Sequence, residues 1–198
     1  MNRAAPLVAA GTAMWNLVER HTGHVGYKGG AKTDKLQAIP PVIDCSGWTA
    51  LLLATGMQAA NAAAGSETFS AGDLAALHTW SDHMIEVLEC RSGTILEGDR
   101  ISFDALPPYA TIGLQQGGGA WAANHPRPQG ITHVVQIVRH PGNDAPLVSE
   151  AQGWAEPRGL RLMPLADWLG LTQPYLKAGK AWAVDAFATL DASNSRTA

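Results

Sequence analysis

The spacing of the apolar residues changes near residue 101, and this change limits the possible folds more than any other feature of the chain. Before residue 101, apolar side chains recur at helical intervals, as in Leu7, Ala10 and Met14. After it come short β-branched runs bounded by Gly, Pro and Asp. Helical periodicity followed by extended segments is typical of an α+β domain.

Two helices are predicted in the first 60 residues. Residues 6–20 carry an amphipathic pattern that continues through polar residues, which favours a helix over the signal peptide that residues 3–13 faintly imitate. A second helix begins near Cys45, with Gly56 near its end. Its predicted buried face consists of Thr49, Leu52, Leu53 and Met57.

The middle of the chain gives a weaker pattern. The alanine-rich residues 58–65 either prolong the second helix or form a loop. Residues 71–90 are helical in composition but mixed in periodicity. Farther on, residues 131–138 and 147–151 predict two strands of an antiparallel hairpin. Residues 160–163 and 181–187 are further strand candidates.

The length and composition favour one domain and exclude several classes of protein. The 198 residues suit a single domain over 1–190 with a flexible tail at 191–198. The 14 basic residues form no cluster and are outnumbered by 17 acidic ones, which argues against a nucleic-acid binder. No apolar run reaches the roughly 20 residues of a membrane span. Two cysteines are too few for a disulfide scaffold or a four-cysteine zinc site.

The most informative segment for function surrounds Cys45, where an extended apolar run gives way to a helix. At a helix N-terminus, unpaired backbone N–H groups and the helix dipole favour a thiolate and lower the pKa of a cysteine. The N–H of Cys45 is also a candidate oxyanion donor. Gly47 keeps the first turn open to a substrate. The alternative is a small buried residue that only packs.

A cysteine nucleophile needs a base, and the base needs a group that orients it. His133 lies on the best-defined predicted strand, which is a rigid support for an imidazole. On the next strand Glu150 is the first candidate for the orienting residue, and Gln152 is the second. A half-buried strand histidine with a satisfied hydrogen bond is the alternative reading of His133.

These residues resemble the NlpC family of bacterial cell-wall peptidases, which are papain-like cysteine hydrolases. The resemblance is carried by the Asp-Cys-Ser-Gly sequence at 44–47, the His-Val pair at 133–134, and Val-Ser-Glu-Ala-Gln-Gly at 148–153. Upstream, Gly-Tyr-Lys-Gly-Gly at 26–30 is similar to the family's tyrosine-containing loop. The resemblance implies N-terminal helices packed on a central antiparallel sheet, with the nucleophile at a helix N-terminus.

The resemblance also implies a function and a set of site residues. The implied reaction is hydrolysis of amide bonds in peptidoglycan stem peptides, often at γ-D-glutamyl links, through a thioester acyl-enzyme. The implied nucleophile, base and orienting residue are Cys45, His133 and Glu150. Tyr27, Asp44 and Ser46 would line the substrate cleft, with Asp44 and Ser46 able to hold a free amino group.

The separation between Cys45 and His133 is longer than the family usually has, so residues 58–130 are interpreted as an insertion that could cap the cleft. Trp121, Asn124 and His125 are candidates for lining the cleft.

A delivered cell-wall toxin from a secretion system or a phage, with an immunity or delivery partner, is an alternative function. A non-catalytic binding module of the same fold is another. Without a clear signal peptide, the cellular location stays open between export by another route and the cytoplasm.

No cofactor or metal is expected. His21 and His24 form a spaced pair without a nearby carboxylate or thiol to complete a metal site. His83 and Glu86 have helical metal-face spacing, but a solvated helix surface explains them better. The glycines at 117–119 lack the Lys-Ser/Thr pair of a phosphate loop.

Overall fold

The computed structural model describes residues 5–93, 95–117 and 129–192. These residues form a mixed α+β structure, as the sequence predicts, with six α-helices, eight strands and two short 3-10 helices at Thr33–Gln37 and Gly98–Arg100. In chain order the helices and strands are α1 (Ala5–His21), β1 (Gly26–Tyr27), β2 (Val42–Ile43), α2 (Cys45–Ala64), α3 (Ala71–Ala76), α4 (Ser81–Ser92), β3 (Ile95–Glu97), β4 (Ala110–Leu114), β5 (His133–Arg139), β6 (Pro146–Gln152), β7 (Gly159–Pro164), α5 (Leu165–Lys177), β8 (Ala181–Asp185) and α6 (Ala188–Ala192).

Both N-terminal helices predicted from the sequence are present, and they pack on each other. Of the two alternatives for residues 58–65, continuation of the second helix is confirmed, because α2 runs past Gly56 to Ala64 and ends with Gly65 in the left-handed conformation. Gly56 instead allows close packing. A Cβ at this position would lie 3.0 Å from the Phe187 ring and 3.1 Å from the Met14 side chain.

The main sheet has six strands in the order β3-β8-β4-β5-β6-β7, and every neighbouring pair is antiparallel. The predicted hairpin is confirmed as β5 and β6. Helices α1, α2 and α4 pack against the sheet on one side, where one buried cluster lies, while α5 contacts β6 and β7 beside a second cluster. The nucleophile candidate therefore belongs to a helix that is held directly on the sheet.

The segment 58–130, interpreted from the sequence as an insertion, contributes to the centre of this sheet. Strand β4 lies between β8 and β5, and all five of its residues are buried. The ambiguous residues 71–90 form α3 and most of α4, and α4 packs on β4 and β8. The sequence analysis assigned no element to β3, β4 or α5.

Two short strands support the approach to α2. Strand β1 pairs in parallel with β2, which ends two residues before the helix begins. This pairing places Tyr27 opposite Ile43 and so close to the start of α2. Among the described residues, no helix combines the length and the apolar character needed to cross a bilayer.

Candidate active site

Cys45 is the first residue of α2, and Asp44 caps the helix. The Asp44 carboxylate accepts a hydrogen bond from the Gly47 N–H at 2.7 Å, while the Asp44 N–H donates to the Ala31 carbonyl at 2.8 Å. These bonds fix the backbone on both sides of the thiol. The first turn of a helix leaves its N–H groups without intrahelical acceptors, so the N–H groups of Cys45 and Ser46 remain available to a bound oxyanion.

Gly47 serves the cap rather than the approach of a substrate, in contrast to the sequence interpretation. It is buried, and a Cβ there would lie 3.0 Å from the Ala31 carbonyl oxygen and 3.1 Å from the Asp44 carboxylate. A larger residue would therefore push the loop and the capping carboxylate away from the helix start.

The structure brings Cys45, His133 and Glu150 together as a chain of interacting side chains. Cys45 and His133 are close enough that each shifts the pKa of the other. The His133 Nε2 and the Glu150 Oε2 are 2.7 Å apart. Because Nε2 contacts the carboxylate, Nδ1 is the ring nitrogen left to act on other groups. His133 and Glu150 are both buried.

Gln152, the second candidate for the orienting residue, bonds only to main-chain groups. Its side-chain amide donates to the Ala155 and Pro157 carbonyls and accepts from the Trp154 and Ala155 N–H groups. Gln152 therefore shapes the turn after β6, while Glu150 makes the contact with the imidazole.

Arg161 completes the chain, and the sequence analysis did not single it out. It lies opposite Glu150 in the pairing of β6 with β7. Its Nε and Nη2 atoms lie 2.7 Å and 2.6 Å from the Glu150 Oε1. The only sequence signal was an opposite charge on the following strand, and without the register that signal does not identify a pair.

The three titratable groups shift one another's pKa values toward the charged forms. Burial opposes ionisation of Cys45, but the hydrogen bond and charge of His133 outweigh it and lower the pKa of the thiol. Burial likewise opposes the charge on His133, but Cys45 and Glu150 raise its pKa to about 9. For Glu150, burial is outweighed by His133 and Arg161, so the pKa of this carboxyl is lowered. The shifts of Cys45 and His133 both act in the direction of a thiolate paired with an imidazolium.

The thiol borders a cleft of about 440 Å³. Its wall combines the loop after β1, the start of α2 and the start of α4; the lining residues are Tyr27, Gly29, Gly30, Lys32, Asp44, Cys45, Ser46, Trp80, Ser81 and Thr132. The Ser81 hydroxyl oxygen lies 3.6 Å from the Cys45 sulfur. Neither Trp80 nor Ser81 was predicted to belong to the site.

Tyr27 lines this cleft, as the resemblance implies. Its ring packs on Gly153, where a Cβ would lie only 2.4 Å from the ring. Burial, together with the charges of Cys45 and Asp44, raises the pKa of Tyr27 to about 12. The phenol therefore keeps its proton at neutral pH and can donate a hydrogen bond into the cleft.

Asp44 and Ser46 bind an amino group, but this group is the ammonium of Lys32 in the same chain. The Lys32 Nζ lies 3.0 Å and 2.9 Å from the two Asp44 carboxylate oxygens. It also donates to the Ser46 hydroxyl. Lys32 was not among the residues that the sequence analysis selected.

Trp154 contacts the imidazole directly, and Asp82 fixes the backbone just before the strand that carries it. The Trp154 ring meets the His133 ring edge to face, with centroids 4.5 Å apart and planes at 90°. The buried Asp82 carboxylate accepts a hydrogen bond from the Ile131 N–H at 2.9 Å, which fixes the chain just before β5. Asp82 is thus directed inward, away from the helix surface on which His83 and Glu86 contact each other at 2.8 Å.

The remaining candidates that lie within the described residues do not enlarge the site. Within the described ranges, no group of three or more His, Cys, Asp and Glu side chains is arranged to hold a metal ion. Cys45 is buried and Cys90 is exposed, and both are free thiols. Trp121, Asn124 and His125 lie outside the described residues.

Comparison of the chain with protein-family models, with curated proteins and with solved structures found no match. Function is therefore inferred from the geometry above and from the resemblance of the short motifs.

Proposed function

We propose that the protein is a cysteine hydrolase that cleaves amide bonds in peptidoglycan stem peptides. The observation that carries this proposal is the chain Cys45–His133–Glu150, which favours a thiolate at a helix N-terminus beside a cleft. A buried packing cysteine needs neither an imidazole nor a carboxylate behind it. Arranged in this way, the three groups match what nucleophilic catalysis requires.

The proposed reaction has two steps. The Cys45 thiolate attacks the scissile carbonyl, and the N–H groups of the first α2 turn stabilise the oxyanion. His133 gives a proton to the leaving amine, which departs and leaves a thioester. Neutral His133 then takes a proton from water as the water attacks the thioester. The products are the free carboxylic acid, the thiolate and the imidazolium.

The substrate class is proposed from the NlpC resemblance. Asp-Cys-Ser-Gly, His-Val and Glu occur in the family's order, and α2 packs on an antiparallel sheet that contains the strands of His133 and Glu150. On this basis we propose a papain-like arrangement of the NlpC type. The Tyr27 phenol beside Cys45 fits the same proposal, because it can bind a substrate carbonyl in the cleft.

The test is digestion of purified peptidoglycan, with the soluble products identified by mass spectrometry. New stem-peptide fragments are expected from the wild type and from Cys90→Ser, and none from Cys45→Ala. The Cys90→Ser variant is the matched control, because it removes the exposed thiol and leaves the buried one.

The absence of fragments from the wild type would reject peptidoglycan as the substrate. Alkylation with iodoacetamide then separates the remaining possibilities. A Cys45 that reacts much faster than Cys90 near pH 6 would indicate a hydrolase for another amide, whereas an unreactive Cys45 would favour a non-catalytic binding module.

A further inference from the structure

The polar end of the cleft beside Cys45 is filled by the ammonium group of Lys32. An ammonium has three N–H donors, and the three acceptors around this one are the two Asp44 oxygens and the Ser46 hydroxyl. The Asp44 carboxylate also accepts from the N–H groups of Gly30 and Gly47. Its hydrogen-bonding capacity is therefore met by the protein.

This arrangement determines which charge the cleft can accept at that point. A substrate ammonium could reach Asp44 only by displacing Lys32, or by lying beside it as a second positive charge. The Asp44 side chain is 10% exposed and that of Lys32 is 42% exposed, so displacement would break a charge-assisted contact whose carboxylate is largely shielded from solvent. A neutral substrate group would neither displace Lys32 nor place a second positive charge beside it.

We propose that Lys32 is a specificity-determining residue that excludes a free substrate amino group from the position beside Asp44 and Ser46. This inference rests on the proposed function and narrows its substrate class. The substrate would be a stem peptide whose N-terminal nitrogen is still acylated, as it is in a peptide attached to its glycan. Released peptides with a free amino terminus would be poor substrates.

The test measures occupancy of the cleft rather than hydrolysis, so it can fail independently of the peptidase proposal. The tripeptide Ala-γ-D-Glu-Lys, with a free or an acetylated amino terminus, is used to protect Cys45 from iodoacetamide. The protein carries Cys90→Ser so that only one thiol reacts. The compared variants are wild-type Lys32, Lys32→Met and Lys28→Met, the last being an exposed lysine of the same loop.

In the protein with wild-type Lys32 and in the Lys28→Met control, the acetylated peptide is expected to protect Cys45 at concentrations at least about tenfold lower than the free-amine peptide. In Lys32→Met this preference is expected to reverse, because Asp44 and Ser46 are then open to the substrate ammonium. If Lys32→Met does not fold, Lys32→Gln removes the charge while keeping hydrogen-bond donors for Asp44, and the preference should at least disappear.

A wild type that is better protected by the free-amine peptide overturns the inference. An unchanged preference in the Lys32 variants also overturns the inference. So does a failure of both peptides to protect Cys45 in every variant. Failure of the peptidase proposal is seen separately, as the absence of Cys45-dependent fragments from peptidoglycan.

Discussion

Replacing Glu150 with Gln tests how much the thiolate depends on a negative charge behind His133. Glutamine keeps the size of the side chain and can still accept a hydrogen bond from the His133 Nε2. It removes the charge that lies between His133 and Arg161. The variant should fold, because the Arg161 side chain is 26% exposed and water can solvate it.

The size of the effect follows from the kind of bond that changes. A hydrogen bond between charged groups contributes about 1.5–3 kcal/mol, and one to a neutral acceptor contributes about 0.5–1.5 kcal/mol. The thiolate–imidazolium state should therefore lose about 1–2 kcal/mol relative to the neutral pair. That loss makes the equilibrium ratio of thiolate–imidazolium to neutral pair about 5–30 times smaller.

The assay is the rate of Cys45 alkylation by iodoacetamide between pH 5 and 8, followed by intact-protein mass in a Cys90→Ser background. The matched control is Glu156→Gln, the same substitution at a glutamate whose side chain is 77% exposed. Glu150→Gln should react more slowly than the control near pH 7, by up to about 30 times. Equal rates in the two variants would mean that Glu150 does not support the ion pair.

Two further predictions concern pH and packing. Because the pKa of His133 is raised to about 9, the protonated ring is present below that pH and lost above it. The value of kcat/KM on a soluble peptide should therefore fall near pH 9. A fall near the ordinary histidine pKa would contradict the ion pair. Gly153→Ala places a Cβ 2.4 Å from the Tyr27 ring, so it should lower the free energy of unfolding by about 1–3 kcal/mol in urea titrations. Gly170→Ala, with no atom within 4 Å of its Cβ, is the control and should not destabilise.

The sequence alone was sufficient for local features whose causes are local. The α+β class, the helix that begins at Cys45 and the β5–β6 hairpin all follow from apolar periodicity and turn residues. The sequence also led to the candidates Cys45, His133 and Glu150, because a helix N-terminus and a strand impose a chemical environment that can be read from neighbouring residues.

The tertiary structure decided the features that depend on strand register and on long-range packing. Arg161 meets Glu150 only because β7 pairs with β6 in one particular register, and a slip of one residue would turn the arginine to the other face. The pairing also separates the roles of Glu150 and Gln152, which the sequence left open. Lys32 lies 12 residues before Asp44, so their contact depends on how the intervening loop folds back toward α2.

Apolar periodicity does not reveal an element that is buried on all sides, because such an element lacks alternating polar and apolar residues. Strand β4 is buried along its whole length, so it lacks the alternation that marks a half-exposed strand. Gly56 resembled a helix end by composition, but the close approach of Met14 and Phe187 requires a glycine within the helix. Local sequence therefore determined which groups are chemically able to react, and the packing of distant segments determined which of them meet.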